Sequence, residues 1–332
     1  MDIEKAQEYL VRRISPAETY QDLLKFPRYL EIETVNACNA RCPMCTIDDW
    51  QRAAPLMKDD LFKKIASEVI QHADEIKRVS LYRDGEPLID KKLSDRVAIL
   101  KDGGVKGVGI STNVSLLTES KAKDLLHAGL DLIIMSIDSL KKEIFESIRV
   151  KLIFEEVLEN ALRFIELRNK IRPETTIWMR MIRQDSNQNE WQDYHAYWTE
   201  RMSKNDRIYY HNIFNWGGQL KGFKPMAGSY ELNLPCVALW SLLVIFANGD
   251  VPLCNIDYNN KYPTGSVLSN SIEELWQSKV IQQRRELHLN GQKGCISLCE
   301  NCNVWDESSD SENVSSLYSD SIEVDENAVV KR

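Results

Sequence analysis

Between Tyr29 and Phe214, short runs of β-type residues alternate with amphipathic helical stretches, and few folds accommodate that alternation. The runs are YLEIETV, KRVSLY, GVGIST, LIIMSID, TIWMRMI and RIYYHNI. Between them lie helical patterns such as DDLFKKIASEVIQHA and IFEEVLENALRFIELRNK. A strand followed by a crossover helix returns parallel to its neighbour, so the expected class is α/β with a parallel sheet. Six units are too few to close an eight-stranded barrel, which predicts a partial (β/α)6 TIM-type barrel over residues 29–215.

The rest of the chain divides by composition. Residues 1–28 read as an N-terminal helical extension packed on the body. The Gly- and Pro-rich stretch 216–235 reads as a linker. Residues 236–305 form a small α+β unit: a hairpin in LLVIFANGDVPLC turning at Asn248-Gly249, a helix through SIEELWQSKVIQQRREL, and a cysteine-dense loop. Such a unit has little core of its own, and a metal centre would supply the missing stability. Residues 306–332 are acidic and Ser-rich, and are expected to be a disordered tail.

Charge narrows the partners. Of the net −8, the tail carries eight acidic residues against Lys331 and Arg332, so the body is close to neutral. A neutral body offers no footprint for nucleic acid. No run of eighteen apolar residues occurs, and the start MDIEKAQEYLVRR lacks an apolar stretch behind its charges. Neither a membrane partner nor a secretory signal is expected, and the expected location is cytoplasmic.

Eight cysteines fall into two groups, and reducing cytosol disfavours disulfides between them. Cys38, Cys42 and Cys45 sit in ETVNACNARCPMCTI, on the loop after the first strand. Three thiolates on one short loop can face a common point, and an iron–sulfur cubane with three protein ligands leaves one iron open to a small molecule. A zinc site is the competing reading, but zinc knuckles usually pair two CxxC or His-containing halves. None of His72, His127, His195, His211 and His288 has ligand spacing, and each is expected to be structural.

At these residues the chain resembles the radical S-adenosylmethionine superfamily, whose signature in this loop is CxxxCxxC. The resemblance implies that Cys38, Cys42 and Cys45 hold a [4Fe–4S] cluster and that S-adenosylmethionine binds its open iron. Reductive cleavage would then release a 5′-deoxyadenosyl radical, with a flavodoxin- or ferredoxin-type protein as electron donor. Cofactor-binding positions carried over are Gly85 and Glu86 in LYRDGEPLI, Ser111 and Asn113 in GISTNVS, Ser136 and Asp138 in IMSIDS, and Arg149 in FESIRV. Taken singly, Glu86, Ser136 and Asp138 would read as turn or cap residues; their placement on successive strand ends lifts them. Asp84 replaces the first glycine of the family's GGE, and Met44 stands where an aromatic residue is common.

Cys236, Cys254, Cys299 and Cys302 resemble the SPASM/twitch extensions that follow many such domains, which implies one auxiliary [4Fe–4S] cluster. A structural zinc held by the same four thiolates is the alternative on ligand type. Cys295 is the odd thiol: a spare ligand, a bystander, or a catalytic hydrogen-atom donor. The resemblance points to an oxidoreductase that dehydrogenates or epimerises a small carbohydrate- or aminocyclitol-like molecule. A maturase for ribosomally made peptides and a non-catalytic metal-binding or electron-transfer protein are the alternatives. Arg180, Arg183, His211 and Trp216, on or after the late strands, are candidates to line the pocket.

Overall fold

The computed structural model describes residues 2–52, 56–220, 234–300 and 302. Most of the linker and the acidic tail lie outside the described residues.

The body is a parallel sheet of seven strands: β1 (Tyr29–Ile32), β2 (Arg78–Ser80), β3 (Val108–Thr112), β4 (Leu132–Ser136), β5 (Thr176–Arg183), β6 (Arg207–Asn212) and β7 (Leu242–Ile245), in the order β6-β5-β4-β3-β2-β1-β7. Six of them are the strands expected from the alternation. The register Glu31↔Ser80 and Glu31↔Val244 aligns the three strands around β1. Residues two apart share a face, so the sheet sorts its side chains into two layers. Leu30, Ile32, Val79, Ile110, Ile133 and Met135 join the large core shared with the helices. Tyr29, Leu132, Ile134, Leu242 and Val244 form a second apolar layer on the opposite face, joined by Tyr82 and Trp178. Both faces of β1, β3 and β4 are buried, which is why β4 reads as a near-continuous apolar run.

The seventh strand corrects the expected hairpin. Leu242–Ile245 does not pair with the residues after Asn248-Gly249; it lies parallel to β1 as an edge of the large sheet. The turn itself forms, with Gly249 at φ +90° and a Phe246 N–H to Asp250 O bond of 2.9 Å. Its second arm, β8 (Asp250–Val251), pairs antiparallel with β9 (Gly265–Ser266).

The N-terminal segment packs on both parts of the chain: Phe26 stacks on His72 of the body, with ring centres 3.9 Å apart. Leu10 and Ile14 of helix Ile3–Ile14, with Leu23, pack against Val237, Leu239, Trp240, Leu253, Ile256 and Leu298 of the C-terminal region. Trp240 Nε1 donates to Tyr20 Oη at 3.0 Å, and Trp276 Nε1 to the Leu23 carbonyl at 3.2 Å. A unit too small to bury its own apolar residues borrows them from the other end of the chain.

No helix among the described residues is long and apolar enough to cross a membrane.

Candidate active site

The C-terminal ends of the strands open into a cavity of about 230 Å³. Its lining includes Cys38, Cys42 and Cys45, so the loop after β1 brings all three thiols to one space. Short bonds shape that loop: Cys45 N–H donates to Cys42 O at 2.9 Å, and Arg41 N–H to Val150 O at 2.9 Å. Burial pushes all three thiols up, Cys45 to about 12, so each must lose a proton to bind a metal.

Gly85 has no room for a side chain: a Cβ there would meet Val35 O at 2.5 Å and Ala37 O at 2.6 Å. The turn after β2 therefore presses on the backbone of the cysteine loop, and Glu86 N–H closes the contact on Ala37 O at 2.9 Å. The Glu86 carboxylate lines the cavity and accepts from Thr112 Oγ1 (2.7 Å), Asn113 N (2.8 Å) and Leu88 N (3.1 Å). Burial raises its pKa against the pull of these donors. Asp84, the departure from GGE, is fully buried; its carboxylate lies 2.7 Å from Arg83 Nη1 and 3.6 Å from Arg52 Nη2. Arg52 in turn forks onto Glu33 with two bonds of 2.7 Å, so Asp84 sits in a buried ion-pair network.

Ser111 and Ser136 line the cavity, and Arg180 Nη2 donates to both, at 3.2 and 2.5 Å. Asn113 lines it as well, with Nδ2 on Asn39 Oδ1 at 2.9 Å and 3.9 Å from Cys38 Sγ. Arg149 reaches the lining with Nη1 3.8 Å from Cys42 Sγ. Asp138 stands behind it: one oxygen accepts from Arg149 Nε at 2.6 Å and the other from Ile182 N at 2.7 Å. Asp138 thus aims the arginine. Burial works against the Arg149 charge, and Asp138 and Cys42 outweigh it.

Of the pocket candidates, Arg180, His211 and Trp216 line the cavity. Arg183 does not; it lies 3.9 Å over the Tyr210 ring and bonds Asn212. Burial, helped by Arg180 and Arg207, pulls His211 well below the usual histidine value, so its ring is neutral. Sequence reasoning missed Glu31, Tyr82 and Arg83. Glu31 and Glu33 alternate with Leu30, Ile32 and Thr34, and Glu31 lines the cavity. Burial lifts Glu31 to about 7, with Arg83 opposing and Asp84 adding to the rise.

Asn255 and Ile256, immediately after Cys254, also line the cavity. Cys236, Cys254, Cys299 and Cys302 lie within electrostatic reach of one another: burial pushes Cys236 and Cys254 well up, and the neighbouring thiols add to it. Cys236 N–H donates to His288 Nδ1 at 3.2 Å. Cys295 is not brought to the cavity. It is exposed, at the end of the short helical turn Lys293–Cys295, and is absent from the lining.

Residues 32–182 match the model of the radical SAM superfamily, and residues 236–303 that of an iron–sulfur cluster-binding domain, SPASM. Over 113 residues the chain is 36 % identical to a tungsten-containing aldehyde ferredoxin oxidoreductase cofactor-modifying protein of Pyrococcus furiosus, covering 34 % of this chain and 31 % of that protein. It is 29 % identical to a GTP 3′,8-cyclase of Campylobacter lari across 59 % of each chain. The chain therefore spans less than two thirds of either relative. A broader match, 22 % identical over 82 % of this chain and 92 % of the other, is to an S-adenosyl-L-methionine-dependent 2-deoxy-scyllo-inosamine dehydrogenase of Niallia circulans. Among solved structures, BtrN in complex with AdoMet and 2-DOIA superposes with a TM-score of 0.58 at 20 % identity, covering 84 % of this chain and 94 % of BtrN. Streptococcus suis SuiB bound to precursor peptide SuiA superposes with 0.63 at 15 %, covering 84 % and 72 %. At these identities the likeness to both structures is one of fold.

Proposed function

Because the chain belongs to the radical S-adenosylmethionine superfamily and carries a C-terminal SPASM-type iron–sulfur domain, we propose that it is an oxidoreductase that takes a hydrogen atom from a carbon of a small polar substrate. Its cofactors are a [4Fe–4S] cluster, S-adenosylmethionine and an auxiliary iron–sulfur cluster. When bound, they supply a 5′-deoxyadenosyl radical and a one-electron acceptor.

The donor sets fit. Three thiols line the cavity, the number that a cluster with an open iron requires. Cys38, Cys42 and Cys45 hold that cluster in this reading. Arg149 Nη2 is buried without a hydrogen-bond partner beside Cys42, a donor placed for the cofactor's carboxylate. Glu86 and the Gly85 turn face its ammonium, while Ser111, Asn113 and Ser136 line the remainder and Asp138 holds Arg149 in place. Cys236, Cys254, Cys299 and Cys302 hold the auxiliary cluster.

The observation that carries the proposal is that one cavity is lined both by the first thiol group and by Asn255 and Ile256, the residues after Cys254. An alcohol there can lose its carbon-bound hydrogen atom to the 5′-deoxyadenosyl radical, its hydroxyl proton to water and the remaining electron to the auxiliary cluster, leaving a ketone. Buried lining atoms without partners, Arg83 Nε and Nη2, Arg180 Nε, His211 Nδ1 and Asn255 Oδ1, suit an oxygen-rich molecule. The broad match to a 2-deoxy-scyllo-inosamine dehydrogenase supports a cyclitol-like alcohol. Dehydrogenation is preferred to epimerisation because Cys295 stands outside the cavity. Electrons for cofactor cleavage would come from a flavodoxin- or ferredoxin-type donor.

The fold shared with SuiB bound to a precursor peptide favours a second reading, a peptide substrate. Both are tested by anaerobic incubation with S-adenosylmethionine and dithionite, in parallel with ring-deuterated aminocyclitols or sugars and with deuterated peptides. Deuterium arriving in 5′-deoxyadenosine, with one ketone formed per cofactor cleaved, supports the proposal. Label taken from peptides instead supports the second reading. Absence of 5′-deoxyadenosine at full iron content overturns both.

A further inference from the structure

Arg83 occupies the position just before the Asp84-Gly85-Glu86 turn and lines the cavity together with Asn255 and Ile256. Its side chain is 7 % exposed, and its Nε and Nη2 have no hydrogen-bond partner. Nη1 lies 2.7 Å from Asp84 Oδ1, Nε lies 3.5 Å from Glu31 Oε2, and the guanidinium carbon is 6.0 Å from the Trp216 ring centre. Burial opposes its charge, and Asp84, Glu31, Glu33 and Cys254 together outweigh burial. The other two arginines of the cavity point elsewhere: Arg149 to Cys42 and Asp138, Arg180 to Ser111 and Ser136. A cation shielded from water acts on a nearby charge through a low dielectric. A cluster that gains an electron gains a negative charge, and charge and hydrogen bonding around its sulfurs are what set its potential.

We infer that Arg83 is a positioning residue for electron transfer, which raises the reduction potential of the auxiliary cluster from the cavity side. Its effect falls where Asn255 and Ile256, the residues after Cys254, border the cavity. The inference rests on Cys254 being a ligand of that cluster, as proposed above.

The test is a redox titration of the holoenzyme followed by EPR, using the signal that does not respond to added S-adenosylmethionine. Arg83→Gln is expected to lower the midpoint so that the reduced-to-oxidised ratio at fixed potential falls about tenfold, about 59 mV for one electron. Arg83→Lys should restore most of the shift, and Arg180→Gln should leave this midpoint in place. An unmoved midpoint in Arg83→Gln at full iron content overturns the inference. Should that variant load poorly, Asp84→Asn removes the carboxylate facing Arg83 and should raise the midpoint; no rise would equally overturn it. Loss of the inference is distinguishable from loss of the ligand assignment: wild-type protein lacking auxiliary iron rejects both, whereas an unmoved midpoint at full auxiliary iron rejects the inference alone.

Discussion

The two cysteine groups reach the same kind of chemistry by different routes. Cys38, Cys42 and Cys45 sit on one loop, shaped by its own backbone bonds and by the glycine turn pressed against it. Cys236, Cys254, Cys299 and Cys302 come from three separate pieces of chain, held by a core that includes Leu10, Ile14 and Leu23 from the other terminus. The first site is local and the second is assembled. A local site should survive damage elsewhere, whereas an assembled one should fail when any contributor is removed.

Separating the two sites gives the largest effect. Cys42→Ala is expected to abolish 5′-deoxyadenosine formation while the auxiliary iron remains. Cys254→Ala should do the reverse, losing auxiliary iron while cofactor cleavage persists. Iron analysis beside product chromatography checks both, and loss of all iron in either variant would show that the sites are not independent.

Stability distinguishes the regions next. The body is pinned by Arg168, almost fully buried, which forks onto Asp206 at 2.7 and 2.5 Å. Asp206→Asn should cost about 3–5 kcal/mol by leaving a buried cation without its partner, measured by urea unfolding. Burial would raise the Asp206 pKa, but bonds from Arg168, Ile177 N and Ser203 N outweigh it and hold the carboxyl below its usual range. A depressed folded-state pKa contributes stability that is complete above the unfolded value, about 3.9, and lost as pH falls through the lower folded one. Asp206→Asn should therefore flatten the acid limb of the stability profile. Leu10→Ala should cost about 2–5 kcal/mol and reduce auxiliary iron, leaving S-adenosylmethionine cleavage in place.

Much of this was legible in the sequence. Six strands could be read because both faces of a parallel sheet are buried, and the three early cysteines because their spacing is local. The seventh strand could not: its pairing with β1 joins residues more than two hundred positions apart, and nothing in LLVI distinguishes a hairpin arm from a sheet edge. Glu31 carried no signal, since in YLEIETV it is one polar residue of a strand, whereas the fold places it in the cavity lining. Arg52, seven residues past Cys45, carries no sequence signal, since its role depends on Glu33 and Asp84 arriving beside it. Cys295 was singled out for being unpaired in the sequence, and the fold leaves it at the surface.

Smaller effects sharpen the contrast further. Gly85→Ala forces a methyl group against Val35 O and Ala37 O, and should weaken S-adenosylmethionine binding about tenfold, about 1.4 kcal/mol, without changing auxiliary iron. Equilibrium dialysis reads that change. Cys295→Ala should alter neither iron content nor product yield, and a loss of either would return this thiol to the site.

The central claim is that the chain holds two iron–sulfur centres of which only the first has an open coordination position. Anaerobically reconstituted protein, reduced and followed by EPR and iron analysis as S-adenosylmethionine is added, tests it directly. The expected result is roughly eight irons per chain, as two [4Fe–4S] clusters require, with one signal shifted by the cofactor and one indifferent to it. A single centre, or two centres that both ignore the cofactor, would contradict it.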